Sequence, residues 1–179
     1  MSRSVPLLLL PLLLTGCADN SGGPPPDGES VEVFTPLSPD AGGFFCDFFG
    51  DAAFLVRDAT EAQAFFDDEC PGADATAQQQ FVEAADGLLE GEVIVIVSVQ
   101  LGGCLGEWGV HGFYRDEDEV TAWVLRGDSA YGKQNVACTA DEGGAIQPYL
   151  LEDVSGVTSA AIEVGTYNPD LPGAPAQPG

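Results

Sequence analysis

Apolar residues along this chain change their period several times, and each change marks an element. Residues 92–100 read EVIVIVSVQ, with a β-branched run from Val93 to Val97 that lacks polar alternation. That is the pattern of a strand buried on both faces at the centre of a sheet. Residues 44–57, FFCDFFGDAAFLVR, are aromatic and apolar but broken at Gly50-Asp51. They predict a strand, a turn and a second strand over 52–57. Asp58-Ala59-Thr60-Glu61 then offers an N-cap with a glutamate three residues on, the start of a helix. Ala62, Phe65, Phe66 and Glu69 share one side of it, and Cys70-Pro71-Gly72 ends it. A second helix over 75–85 has Phe81, Ala84, Ala85 and Leu88 on its apolar side and Gly87 as its stop.

Beyond the glycine-rich loop at 102–106, residues 109–115 and 120–126 read as a hairpin with Asp116-Glu117-Asp118-Glu119 at its tip. In its second arm Val120, Ala122 and Val124 oppose Thr121, Trp123 and Leu125, and neither face is purely polar. A polar loop over 127–144 holds Cys138, and residues 146–151 and 159–164 are closing strands. The sum is an α+β fold: a small, mostly antiparallel β-sheet with one or two helices packed on one face. Residues 44–167 suit a single domain.

The two ends have a different character. Arg3 precedes residues 5–14, VPLLLLPLLL. As a helix this run covers only ~15 Å, about half the ~30 Å core of a bilayer, and Pro6 and Pro11 oppose a stable span. A charged start and a short apolar core are the layout of an export signal. The run ends in Leu14-Thr15-Gly16-Cys17, which resembles the lipobox of bacterial lipoproteins. The resemblance implies a signal peptide over 1–16, cleavage before Cys17, thioether lipidation of that thiol and N-acylation, with palmitate, of the new terminus. The chain is then expected at the bacterial cell envelope, exported and lipid-anchored, on the outer membrane or the cell surface. Gly, Pro, Ser and acids dominate residues 18–30, so 17–43 is expected to be the lipid anchor and a flexible tether. Residues 168–179, NPDLPGAPAQPG, read as a disordered tail.

Charge changes the list of partners. The chain has 29 Asp and Glu against 5 Lys and Arg. Loss of Arg3 with the signal leaves 29 acids against four bases, a net charge near −25. Such a surface repels nucleic acid and anionic lipid, which makes them poor partners. It attracts divalent cations or a basic protein, although solvation alone also explains it.

After lipidation four cysteines remain, Cys46, Cys70, Cys104 and Cys138. In an exported chain they read as two disulfides, with three pairings open. No Cys-x-x-Cys pair and a single histidine argue against zinc. Chain reversal favours Cys46–Cys70, across the first strand region and helix. It also favours Cys104–Cys138, which flank the hairpin's entrance and exit.

The order of elements resembles the PrcB-type domain, named for a regulatory subunit of a spirochaete surface protease complex. The likeness runs over residues 44–164 in outline and is specific only around 93–113, where the hydrophobic strand meets Gly102-Gly103. Cys104-Leu105-Gly106-Glu107-Trp108 stands where that family places an aromatic, and Thr139 is far from Pro148. The resemblance implies a binding or stabilising module with no catalytic residue to carry over.

Candidate chemistry is sparse. His111 lacks a nucleophile in context, since Ser98, Ser129, Ser155 and Ser159 sit in no nucleophile elbow. Asp67-Asp68-Glu69 and Asp116 to Glu119 are acidic clusters suited to calcium, but no EF-hand pattern surrounds them. Trp108, Tyr114, Trp123 and Tyr131 could line a carbohydrate or peptide groove, or belong to the core. No catalytic, metal or cofactor residue is therefore assigned. The leading expectation is a non-enzymatic module that binds or stabilises an envelope protein, ahead of an acidic calcium- or polymer-binding module and a carboxylate hydrolase.

Overall fold

The computed structural model describes residues 25–37, 50–101, 108–127 and 143–167. Within them two helices and eight strands form an α+β fold of mostly antiparallel sheets. The strands are β1 (Glu29–Ser30), β2 (Phe34–Pro36), β3 (Ala52–Val56), β4 (Val93–Leu101), β5 (Trp108–Asp116), β6 (Glu119–Gly127), β7 (Gly143–Leu151) and β8 (Ser159–Tyr167). The helices are α1 (Ala59–Asp68) and α2 (Ala75–Asp86).

The expected single sheet is in fact two four-stranded sheets, ordered β1-β5-β6-β8 and β2-β7-β4-β3. The β2-β7-β4-β3 sheet is the middle layer of the molecule. Val93, Val95, Val97 and Val99 of β4 pack with Phe113, Val120, Ala122 and Val124 of the other sheet. Ile94 and Ile96 point the other way, onto Ala62, Phe65, Phe66, Ala77, Phe81 and Ala85 of the helices. Both faces of β4 are thus covered, by different layers, which is why its apolar run shows no alternation. Edge-on aromatic contacts knit each interface. Phe34, Phe113 and Tyr149 lie 5.2–6.2 Å apart between the sheets. Phe54, Phe65, Phe66 and Phe81 form a chain from β3 through both helices.

Local signals set the helices. Asp58 Oδ1 accepts from the amides of Thr60 and Glu61, and Asp74 Oδ1 caps α2 through Thr76 and Ala77. Glu61 turns back one residue further than a capping box requires: it accepts from the Arg57 amide and pairs with the Arg57 guanidinium. That pairing holds the Glu61 carboxyl below, and the Arg57 guanidinium above, their ordinary pKa values. On α2, Ala77 takes the buried place expected for Ala84, which is exposed. Glu69 is also exposed, as the C-cap of α1.

Three further features add to or depart from expectation. Residues 29–36, placed by composition in the tether, form two short strands that strap the sheets together. β1 pairs with the end of β5 (Glu29↔Arg115) and β2 with the end of β7 (Phe34↔Leu151). β8, for which the sequence set no direction, runs parallel to β6 within sheets that are mostly antiparallel. β7 begins at Gly143, three residues earlier than expected. Pro148 is tolerated inside β7 because Leu37, which donates its amide to Pro148 O, gives its own carbonyl to the Gln147 side-chain amide and needs no N–H from position 148.

Candidate functional site

The strap creates a groove at the seam of the two sheets. After β1, Val31 donates its amide to Phe113 O and is buried. Glu32 and Val33 then bridge the seam, and Val33 O accepts from the Glu152 amide. Opposite lie Glu152, Asp153 and Val154, which follow β7, and Arg115 of β5. Together these residues line a groove of about 160 Å³. Gly28 permits the strap's approach with φ of +124°; a Cβ there would come within 2.6 Å of the Arg115 carbonyl oxygen.

The groove is of mixed character. Val31, Val33 and Val154 supply apolar wall, and Val33 is 42 % exposed. Glu29, Glu32, Glu152 and Asp153 supply four carboxylates against one guanidinium, a local net charge of −3. Arg115 is fixed from within: its Nε donates to Glu117 O at 3.1 Å and its Nη2 to Ser155 O at 2.7 Å. Asp153 adopts a left-handed φ of 60°, which aspartate tolerates better than most residues. Glu32 gives neither its amide nor its carbonyl to a backbone hydrogen bond among the described residues.

The residues singled out from sequence fall elsewhere. His111 is the extra residue of a β-bulge between Val110 and Gly112 of β5. Its ring lies edge-on to Trp123 at 5.7 Å, Trp123 meets Tyr114 at 6.2 Å, and burial holds the imidazole below its ordinary pKa. Those three rings share the sheet face away from β4, whereas Trp108 packs at the rim of the inter-sheet core. Tyr131 lies outside the described residues.

Ser98 is buried and donates to Gly50 O, and Ser159 reaches Glu119 Oε2 at 3.5 Å. Neither is near His111 in the pairing of strands. At the hairpin tip Asp118 is engaged by residues 158–159: its carbonyl accepts both their amides and its carboxylate accepts the Thr158 hydroxyl. Asp67 accepts from Gln63. Among the described residues no three His, Cys, Asp or Glu side chains group as metal ligands. Among them, too, no helix is long and apolar enough to cross a membrane.

Cys70 is fully buried beside Phe65 and Phe66 and is disulfide-bonded. Its partner lies outside the described residues, as do Cys17, Cys46, Cys104 and Cys138 and the whole of 1–24. Sequence reasoning missed the groove. The signal was present in Ser30-Val31-Glu32-Val33, whose alternation is that of a strand.

Comparison with known protein families, with curated proteins and with solved structures finds no match to this chain.

Proposed function

We propose that this chain is an exported lipoprotein, held on a membrane of the bacterial envelope by acyl chains on Cys17, whose domain binds or stabilises a partner protein there without catalysis. The observation that carries the anchoring is Leu14-Thr15-Gly16-Cys17 at the end of a short apolar run. Lipid on that thiol supplies the hydrophobic attachment; two acylation steps make it stable. Eleven residues separate Cys17 from Glu29 of β1. Fully extended, that stretch reaches about 40 Å, so the groove stays close to the bilayer. An acidic domain on so short a lead is repelled by anionic headgroups and left free to meet a protein.

Binding, not chemistry, is supported by the groove: apolar wall and fixed charge in one place, on the strap nearest the anchor. The PrcB-type resemblance, a binding module lacking catalytic residues, points the same way. Cys17→Ala tests the reading. The substituted protein is expected in the soluble fraction after a carbonate wash, where the wild type pellets with membranes. Pelleting of both would overturn the anchor.

A further inference from the structure

We infer that the groove docks an extended, cationic segment of the partner protein, one that sets an aliphatic side chain against Val33 between flanking lysines or arginines. This rests on the partner-binding reading above and names the chemistry of the partner.

Three independent features of the groove converge on that ligand class. The first is charge. Glu29 and Glu32 stand on the strap and Glu152 and Asp153 on the opposite wall, so basic side chains at alternate positions of a bound strand find carboxylates on either side. The second is apolar surface. Val33, 42 % exposed, and Leu89, 69 % exposed, are the large hydrophobic residues left open to solvent among those described. Val33 lies in the groove, beside the buried Val31 and Val154. The third is backbone. Glu32 sits between two short strands with its amide and carbonyl unpaired among the described residues. Such groups accept an added strand.

Competing ligands use fewer of these features. A divalent cation needs converging oxygens, and no such grouping exists among the described residues; Arg115, fixed by two carbonyls, also places positive charge in the groove wall. A phosphate or anionic headgroup meets the four carboxylates. An extended peptide uses all of it, and its own carbonyl groups can face the Arg115 guanidinium.

The test uses the full-length protein in detergent and a fluorescein-labelled Lys-Val-Lys-Val-Lys-Val-Lys peptide, read by fluorescence anisotropy. Saturable binding is expected, weakening with salt, while the Glu-Val counterpart does not bind. Combined Glu29→Gln, Glu32→Gln, Glu152→Gln and Asp153→Asn substitution should lower affinity by about tenfold or more. All four side chains are exposed, and asparagine keeps the left-handed backbone at 153. The matched control, Asp68→Asn, Glu69→Gln, Asp86→Asn and Glu90→Gln near the helix ends, removes the same charge and should stay within about twofold of wild type. Val33→Asn should weaken binding while leaving its salt dependence unchanged. Equal loss in both fourfold variants would reduce the effect to general charge attraction and overturn the groove, as would absence of saturable binding. Co-purification of one membrane protein equally by wild type and groove variant would also overturn the groove while leaving the envelope-partner reading standing.

Discussion

At the scale of single residues, Trp123 and His111 each carry a cost of burial. The Trp123 Nε1 is buried and has no acceptor among the described residues. An unpaired buried donor costs about 1–3 kcal/mol, which offsets part of what the ring gains by burial. Trp123→Phe removes the donor and keeps a ring against His111 and Tyr114. It should therefore change stability by no more than about 1 kcal/mol, whereas Trp123→Ala should cost about 3–5 kcal/mol. Urea denaturation of the two variants separates the outcomes, and equal losses would mean that the N–H is satisfied in solution.

His111 acts through protons. Burial lowers its folded pKa below the ordinary 6.5, so the unfolded chain binds the proton more readily. Stability from this residue is then complete above the unfolded pKa and falls as pH drops through 6.5 toward the folded value. Wild type and His111→Gln should show a constant stability difference above neutrality and a diverging one below it, with wild type losing more on acidification. A difference that stays flat from pH 8 to about pH 5 would sink the assignment.

At the scale of elements, the cysteines and the register of β4 and β7 belong together. Leu101, the last residue of β4, pairs with Gly143, the first of β7. Cys104 lies three residues past Leu101 and Cys138 five residues before Gly143. Both chains thus leave the same end of one ladder, and an eight-residue sum of reach allows the roughly 7 Å Cα separation that a disulfide needs. Cys70 closes α1, which returns antiparallel to β3, and Cys46 stands four residues before Gly50 at the start of that strand. Non-reducing peptide mapping should return Cys104 joined to Cys138 and Cys70 joined to Cys46. A peptide linking Cys70 to Cys104 or Cys138 would break the pairing.

The same scale shows what the sequence could and could not disclose. The helices were legible because Asp58 and Asp74 cap them locally and Phe65, Phe66 and Phe81 recur at helical spacing. β4 was legible as a strand buried on both sides, but Val93 to Val97 reads alike whether a face meets helices or a second sheet. Two sheets in place of one is therefore a tertiary fact with no local signature. The parallel course of β8 depends likewise on where residues 152–158 carry the chain. The groove was the hardest part to see. Its residues come from 29–33, 115 and 152–154, each stretch is unremarked by itself, and the strap's alternation is masked by its proline- and glycine-rich neighbours. Composition placed residues 29–36 in the tether, because four alternating residues weigh little against the acids and glycines around them.

At the scale of the whole molecule, charge dominates. With 29 acidic residues against 5 basic ones, self-repulsion works against the compact state and is relieved by any salt that screens it. The described ion pairs are few and exposed: Arg57 with Glu61, and Arg126 with Asp51 at 3.6 Å. Exposed pairs of this kind contribute about 0–1 kcal/mol each and do not offset such an imbalance. In the two acidic clusters most suited to calcium, some carboxylates already have partners. Asp118 is tied to Thr158 and Ser159, Asp67 to Gln63, and no three liganding side chains group among the described residues. Screening and specific binding make different demands on a titration. Screening depends on ionic strength, and sodium and calcium chloride at matched ionic strength should raise the thermal midpoint to nearly the same value. A specific site adds RT ln(1 + [L]/Kd) for calcium alone, about 2.7 kcal/mol at one hundred times Kd. Differential scanning fluorimetry across both salts decides between them. Coincident curves are expected, with chelator reversing nothing beyond its own ionic strength, and a calcium-only rise of several degrees at millimolar metal would place a cation site in this protein after all.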